Sequence, residues 1–211
     1  MMRTLVLFAA LAVCPAFAQY TLEPAGPCTA EGVSDAVKAL LEPDGYRVKD
    51  SSGNVFLEAW IRKAIPTEKP ADAPRGADFS SIPVTTVLGV IRYAKAGGDF
   101  RGQPIQPGVY ILRFNLQPED GDHQGASPRR DHVLLSPAAA DQDPNTKLTF
   151  EAAVDLSRKV TGTRHPSALF LGAPESGAKF PGIQQHGPRQ FLTFKSGALE
   201  MGLVFVGKAE E

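Results

Sequence analysis

The chain has 211 residues, with 22 Lys and Arg against 23 Asp and Glu and a formal charge of −1. That balance excludes a general nucleic-acid binder, which needs a basic face to neutralise phosphates, and an electrostatic membrane anchor. The length fits one domain large enough to bury a core.

The chain opens MMRTLVLFAALAVCPAFAQY. Arg3 precedes an apolar run over 5–13, and the small-x-small triplet Ala16, Phe17, Ala18 follows. This pattern predicts a secretory signal peptide over 1–18, cleaved between Ala18 and Gln19. The run falls well short of the roughly 20 residues that span a bilayer. A lipoprotein signal acylated at Cys14 is the alternative, but Val13 stands where a small residue belongs. No later run is long and apolar, so the mature chain is expected to be soluble, without a transmembrane segment, and periplasmic or extracellular. Cleavage leaves a single cysteine, Cys28, and therefore no internal disulfide. Burial near the N-terminus is the expectation for Cys28, and pairing with another chain is the alternative.

Residues 19–27 are rich in Pro and Gly and read as an extended arm. Around Ser34 and Asp35, Val33, Val37, Leu40 and Leu41 fall at helical spacing, a short stripe stopped by Pro43, Asp44 and Gly45. Next, NVFLEAWIRKAIP alternates, with Val55, Leu57, Ala59 and Ile61 on one face. Phe56 and Trp60 share the other face with Glu58 and Arg62. That strand is either covered on both sides or has Trp60 at the edge of the core. Residues 64–83 form a proline-rich loop. VTTVLGVIRY is a second strand, in which Gly89 signals a bulge or a close backbone approach. Pro107 and Gly108 read as a type II turn. The strand after it places Tyr110, Leu112, Phe114 and Leu116 on one face, and Val109, Ile111, Arg113 and Asn115 on the other.

DHVLLS is a short strand. TFEAAVDLSRKVTG is a helix with Thr149 as N-cap, Gly162 as stop, and Phe150, Ala153, Val154, Ser157 and Val160 along its packed face. Strands follow over 168–171, 190–195 and 198–206, the last two joined by a hairpin at Ser196 and Gly197. Leu199, Met201, Leu203 and Phe205 share one face of the terminal strand. Strands and helices do not alternate regularly, which excludes a doubly wound parallel sheet. The expected fold is mainly β: an antiparallel β-sandwich of about eight strands with one or two short packed helices. The arm and short helix occupy 19–45, and the sandwich 46–211, with a helical insertion near 149–161.

Candidate chemistry concentrates in QPEDGDHQGASPRRDHVLLSP, residues 117–137. Asp120, Asp122 and His123 offer oxygen and imidazole ligands, and Asp131 or His132 can close a metal site. Neighbours in a strand point to opposite faces, so only one of Asp131 and His132 can face that site. The structural alternative is a self-capping loop, with aspartates accepting backbone N–H groups and Arg129 or Arg130 pairing with a carboxylate. An acid–base pair of Asp122 and His123, with Asp131, is the catalytic candidate. Asp141, Asp143 and Asn145 begin like a calcium loop, but Thr146 replaces the required glycine and Ala152 the closing acid. No nucleophile elbow and no phosphate loop is present. Trp60, Phe56, Tyr93 and Tyr110 suit a core better than a ligand platform.

PGVYILRFNLQPEDGDHQGASPRRDHVLLSPAAADQD, with its Pro-Gly-x-Tyr strand entry and Asp-His loop, resembles a segment of an uncharacterised family of exported bacterial β-sandwich proteins, a domain of unknown function. LEMGLVFVGKAEE is similar to the C-terminal strand of related secreted domains. Together these stretches cover about a quarter of the chain. The resemblance implies a periplasmic or secreted β-sandwich, and no activity or catalytic residue comes with it. The leading expectation is therefore a non-enzymatic exported protein. It would bind an envelope protein or a small molecule through end loops, with Asp120, Asp122, His123, Arg129, Arg130 and Asp131 as contact residues. The alternative is a metal-assisted or acid–base hydrolase using the 120–132 loop. No motif requires a cofactor, and the identity of any metal is open.

Overall fold

The computed structural model describes residues 20–70, 72–119 and 127–209. The expected signal segment with its Ala18–Gln19 junction, and Asp120, Asp122 and His123, lie outside the described residues.

Ten strands build one antiparallel sheet. In chain order they are β1 (Thr21–Gly26), β2 (Gly45–Lys49), β3 (Val55–Ile61), β4 (Val87–Tyr93), β7 (Gly108–Leu116), β8 (Asp131–Pro137), β9 (Ala168–Gly172), β10 (Gly182–His186), β11 (Arg189–Ser196) and β12 (Leu199–Val206). A separate two-stranded ribbon pairs β5 (Gly97–Gly98) with β6 (Pro104–Ile105). The order across the sheet is β1-β2-β3-β4-β7-β8-β9-β12-β11-β10. The end strands β1 and β10 touch without a shared ladder, so the sheet curls into a nearly closed barrel. Two α-helices, α1 (Asp35–Lys38) and α2 (Phe150–Thr161), and one 3-10 turn at Ala138–Ala140 accompany the strands. Among the described residues no helix is long and apolar enough to cross a membrane.

The mainly β, antiparallel class with two helices is as expected. The sandwich of about eight strands is replaced by one continuous sheet, because three strands carry no strong pattern of their own. TLEPAG, GYRVK and GIQQH are polar or broken by Gly and Pro. Their ladders to β2, β3 and β11 hold them in place.

Period-2 alternation sorts side chains into an interior and an exterior set. Leu57, Ile91, Leu112, Phe114, Leu135, Leu171, Phe194 and Leu203 are buried together inside the barrel, which its own side chains fill. The exterior carries two coverings. The N-terminal arm and α1 place Val33, Val37 and Leu41 on Trp60, Val90 and Ile111, so β3 is covered on both sides. Half-buried Cys28 packs against this cluster, where burial pushes its thiol pKa up. The second covering is α2, whose Ala153 and Val154 pack on Leu134 of β8.

Local signals behave as their chemistry dictates. Ser34 Oγ accepts from the Val37 N–H and Thr149 Oγ1 from the Ala152 N–H, each at 3.2 Å, and Gly162 ends α2 at φ 66°. At Gly89 the β4–β7 register shifts, and a Cβ would run into the Trp60 carbonyl. Two turn expectations need correction. Gly108 has no left-handed φ; it opens β7, and a Cβ there would lie 2.9 Å from the Tyr110 hydroxyl. Ser196 pairs with Leu199, so the hairpin loop is Gly197 and Ala198, one residue later than expected.

Trp60 Nε1 donates to the Gly26 carbonyl at 2.9 Å and ties the arm to β3. Trp60→Phe removes that bond and leaves space beneath the arm. It is expected to cost about 2 kcal/mol in urea unfolding and to speed limited proteolysis within 20–34. Unchanged cleavage there would show that the arm is held by other contacts.

Candidate functional site

The described part of the 117–137 segment is bound into the fold. Arg130 Nε donates to the Gln117 carbonyl at 2.7 Å, and its guanidinium pairs with Glu119 at 2.9 Å. Arg129 pairs with Asp78 at 3.3 Å. Asp131 is buried, and its two oxygens accept from the Asp78 N–H at 2.7 Å and the Phe79 N–H at 2.9 Å. These contacts join the start of β8 to the proline-rich loop. Asp131 and His132 point to opposite faces, as strand geometry requires, so Asp131 does not share a site with His132. Among the described residues no three His, Cys, Asp or Glu side chains converge to hold a metal.

His132 leads instead to a cavity of about 550 Å³ on the outside of the barrel. Its floor is the outer face of three neighbouring strands. Asn115 of β7 lies directly opposite His132 of β8, which lies opposite Phe170 of β9. The next row contributes Leu134 and Ala168. Phe150, Val154 and Arg158, spaced four apart along α2, form one wall. Phe150 is 43% exposed at the rim, so it leaves the packed face expected for it while Ala153, Val154, Ser157 and Val160 stay buried. The opposite wall is made by Phe100 and Arg101 together with Arg164, His165 and Pro166.

That second wall is stitched together. Buried Asp99 accepts from the Arg101 and Gln103 N–H groups, at 3.0 and 2.7 Å, and from the Ala168 N–H at 3.3 Å. Gln103 donates to the Pro166 carbonyl at 3.0 Å and accepts from the Thr163 hydroxyl at 2.7 Å. The Gln103 side-chain amide also donates to Asp99, at 2.8 Å; burial pushes the Asp99 carboxyl pKa up, and these four donors pull it part of the way back.

The polar groups of the floor are specific. Asn115 Oδ1 accepts from the Leu116 N–H at 2.9 Å, which turns the amide nitrogen the other way. That nitrogen is buried without a hydrogen-bond partner. His132 Nδ1 lies 2.9 Å from the Arg130 carbonyl, which only accepts, so Nδ1 carries the hydrogen. The ring is edge-on to Phe100 and Phe170. Three guanidiniums and two imidazoles line the cavity, and among its described lining residues there is no carboxylate. Arg158 is engaged by Asp155 and the Arg164 carbonyl, each at 2.7 Å.

Among the described lining residues there is no serine, threonine or cysteine. Sequence reasoning singled out His132 but passed over Asn115, Arg101 and Arg164. The legible signal was the pair of polar residues, Arg113 and Asn115, on the outer face of an otherwise apolar strand. Comparisons with protein-family models, curated proteins and solved structures find no match to this chain.

Proposed function

We propose that the protein is an exported, non-enzymatic binding protein that holds a small ligand with an apolar body in the cavity between α2 and the outer faces of β7, β8 and β9. The observation that carries this reading is the cavity itself. Its volume lies in the range of small-molecule sites, and its lining is mostly apolar with a few convergent polar groups. The barrel interior is filled, which directs binding to the exterior. The N-terminal segment and the resemblance to exported bacterial proteins support export. The ligand site moves from the expected loop residues Asp120, Asp122, His123, Arg129, Arg130 and Asp131 to a side cavity, in which Gln117 and Pro118 form one end.

A neutral fluorescent probe, N-phenyl-1-naphthylamine, tests the site. Ala168→Phe places a ring on the floor. It is expected to weaken probe binding about tenfold or more with the melting temperature shifted by only a few degrees. Equal binding by the wild type and the variant would remove the cavity as the binding site.

A further inference from the structure

We infer that the ligand of this cavity is an organic anion: an apolar or aromatic body carrying one oxyanion head, of the carboxylate or sulfonate kind. This rests on the cavity being the binding site and names the chemistry it selects.

Two independent observations converge. The first is the Asn115 amide nitrogen, a buried donor that no protein atom satisfies. A buried donor left unmade is costly, and Asn115 is one of the residues lining the cavity, where a ligand can bring an acceptor oxygen. The bond from the Leu116 N–H fixes the amide orientation, so the nitrogen rather than the oxygen is the unpaired end. The second observation is the charge of the walls. Arg101 and Arg164 stand on two segments stitched to each other through Gln103, and neither has an ion-pair partner among the described residues. The stitching through Asp99, Gln103 and Thr163 holds the backbone beneath both side chains in place before any ligand arrives.

A cationic ligand would meet these guanidiniums with no carboxylate among the described lining residues to receive it. A fully apolar ligand would leave the Asn115 donor buried and unsatisfied. An oxyanion answers both, accepting from the Asn115 amide and drawing on the guanidinium charge. Phe100 and Phe150, with Leu134 and Val154, then line the space for the body.

A matched pair of probes reads this directly. 8-Anilino-1-naphthalenesulfonate carries the skeleton of N-phenyl-1-naphthylamine plus one sulfonate. Fluorescence titrations of both into the purified protein are expected to show the sulfonate binding about tenfold tighter or more. Asn115→Asp keeps the acceptor for the Leu116 N–H and replaces the donor with a like charge. It is expected to bring the sulfonate to or below the neutral probe. Arg101→Gln with Arg164→Gln changes only exposed side chains and is expected to weaken the sulfonate about tenfold relative to the neutral probe. Equal affinity of the two probes in the wild type, each lost in Ala168→Phe, overturns the anion inference while the cavity reading stands. Tighter sulfonate binding that survives both the Asn115 and the arginine changes also overturns it, since the anion then sits elsewhere. Neither probe binding overturns the cavity reading and this inference with it.

Discussion

Arg113→Leu is expected to destabilise the protein by about 3–5 kcal/mol, because it strands a buried carboxylate. Arg113 points outward from β7, yet its side chain is only 2% exposed and that of its partner Asp141 only 4%. Nε and Nη2 donate to both Asp141 oxygens, at 2.6 and 2.5 Å, a bidentate geometry that lysine cannot reproduce. Ser136 Oγ also donates to Asp141 at 2.5 Å. Arg113 Nη1 reaches the Thr85 carbonyl at 2.6 Å. Thr85 sits at φ 66°, a left-handed conformation costly for a β-branched residue, so the guanidinium also holds a strained turn in place. Removing Arg113 leaves Asp141 with a hydroxyl for company and releases that turn. Removing both charges, as Arg113→Leu with Asp141→Leu, takes away the stranded ion and is expected to cost less than the sum of the single changes. Urea unfolding of the four proteins gives the coupling energy. Additive losses, or a single loss below about 1 kcal/mol, would mean that the pair is solvated and not structural.

This pair shows where sequence reading stops. The interior was legible: the alternations over β7 and β12 placed Tyr110, Leu112 and Phe114, and Met201, Leu203 and Phe205, on the core face where they are buried. Helix caps were legible because they depend on neighbours in the chain, as Thr149 and Gly162 show. The strands β1, β2 and β10 were not, because their stability is borrowed from ladders with distant partners. The same holds for the polar sites. Asp141 looked like the start of an incomplete calcium loop, and its true partner lies 28 residues earlier in the chain. Asn115 and Arg164 come together only because β8 and β9 pair and α2 packs across them. A search confined to runs of charged residues finds the 117–137 loop and misses a cavity whose polar groups come from separate segments.

Asp131→Ala is expected to cost about 2–4 kcal/mol, since it leaves two largely buried N–H groups without an acceptor. Those donors belong to Asp78 and Phe79, so the loss is expected to appear first as faster proteolysis within 66–83. Asp131→Asn retains one acceptor oxygen and is expected to lose about half as much. The pH dependence has a definite sign. Burial pushes the Asp131 carboxyl up from its ordinary value of 3.8, and the Asp78 and Phe79 N–H groups pull it only part of the way back, with the Asp78 carboxylate adding to the rise. A folded pKa above the unfolded one gives stability that is full below 3.8 and is lost as pH rises through the folded value. The stability of the wild type relative to Asp131→Asn is therefore expected to fall as pH rises above 3.8 and to level off once the folded carboxyl is ionised. Denaturant unfolding of both proteins across that range measures it. A gap that widens with pH would mean that the carboxylate is stabilised as an ion, as it would be beside a cation. An Asp131→Ala protein that melts like the wild type would show that the N–H groups find other acceptors. With the expected result, Asp131 is the clamp that fixes the proline-rich loop against β8.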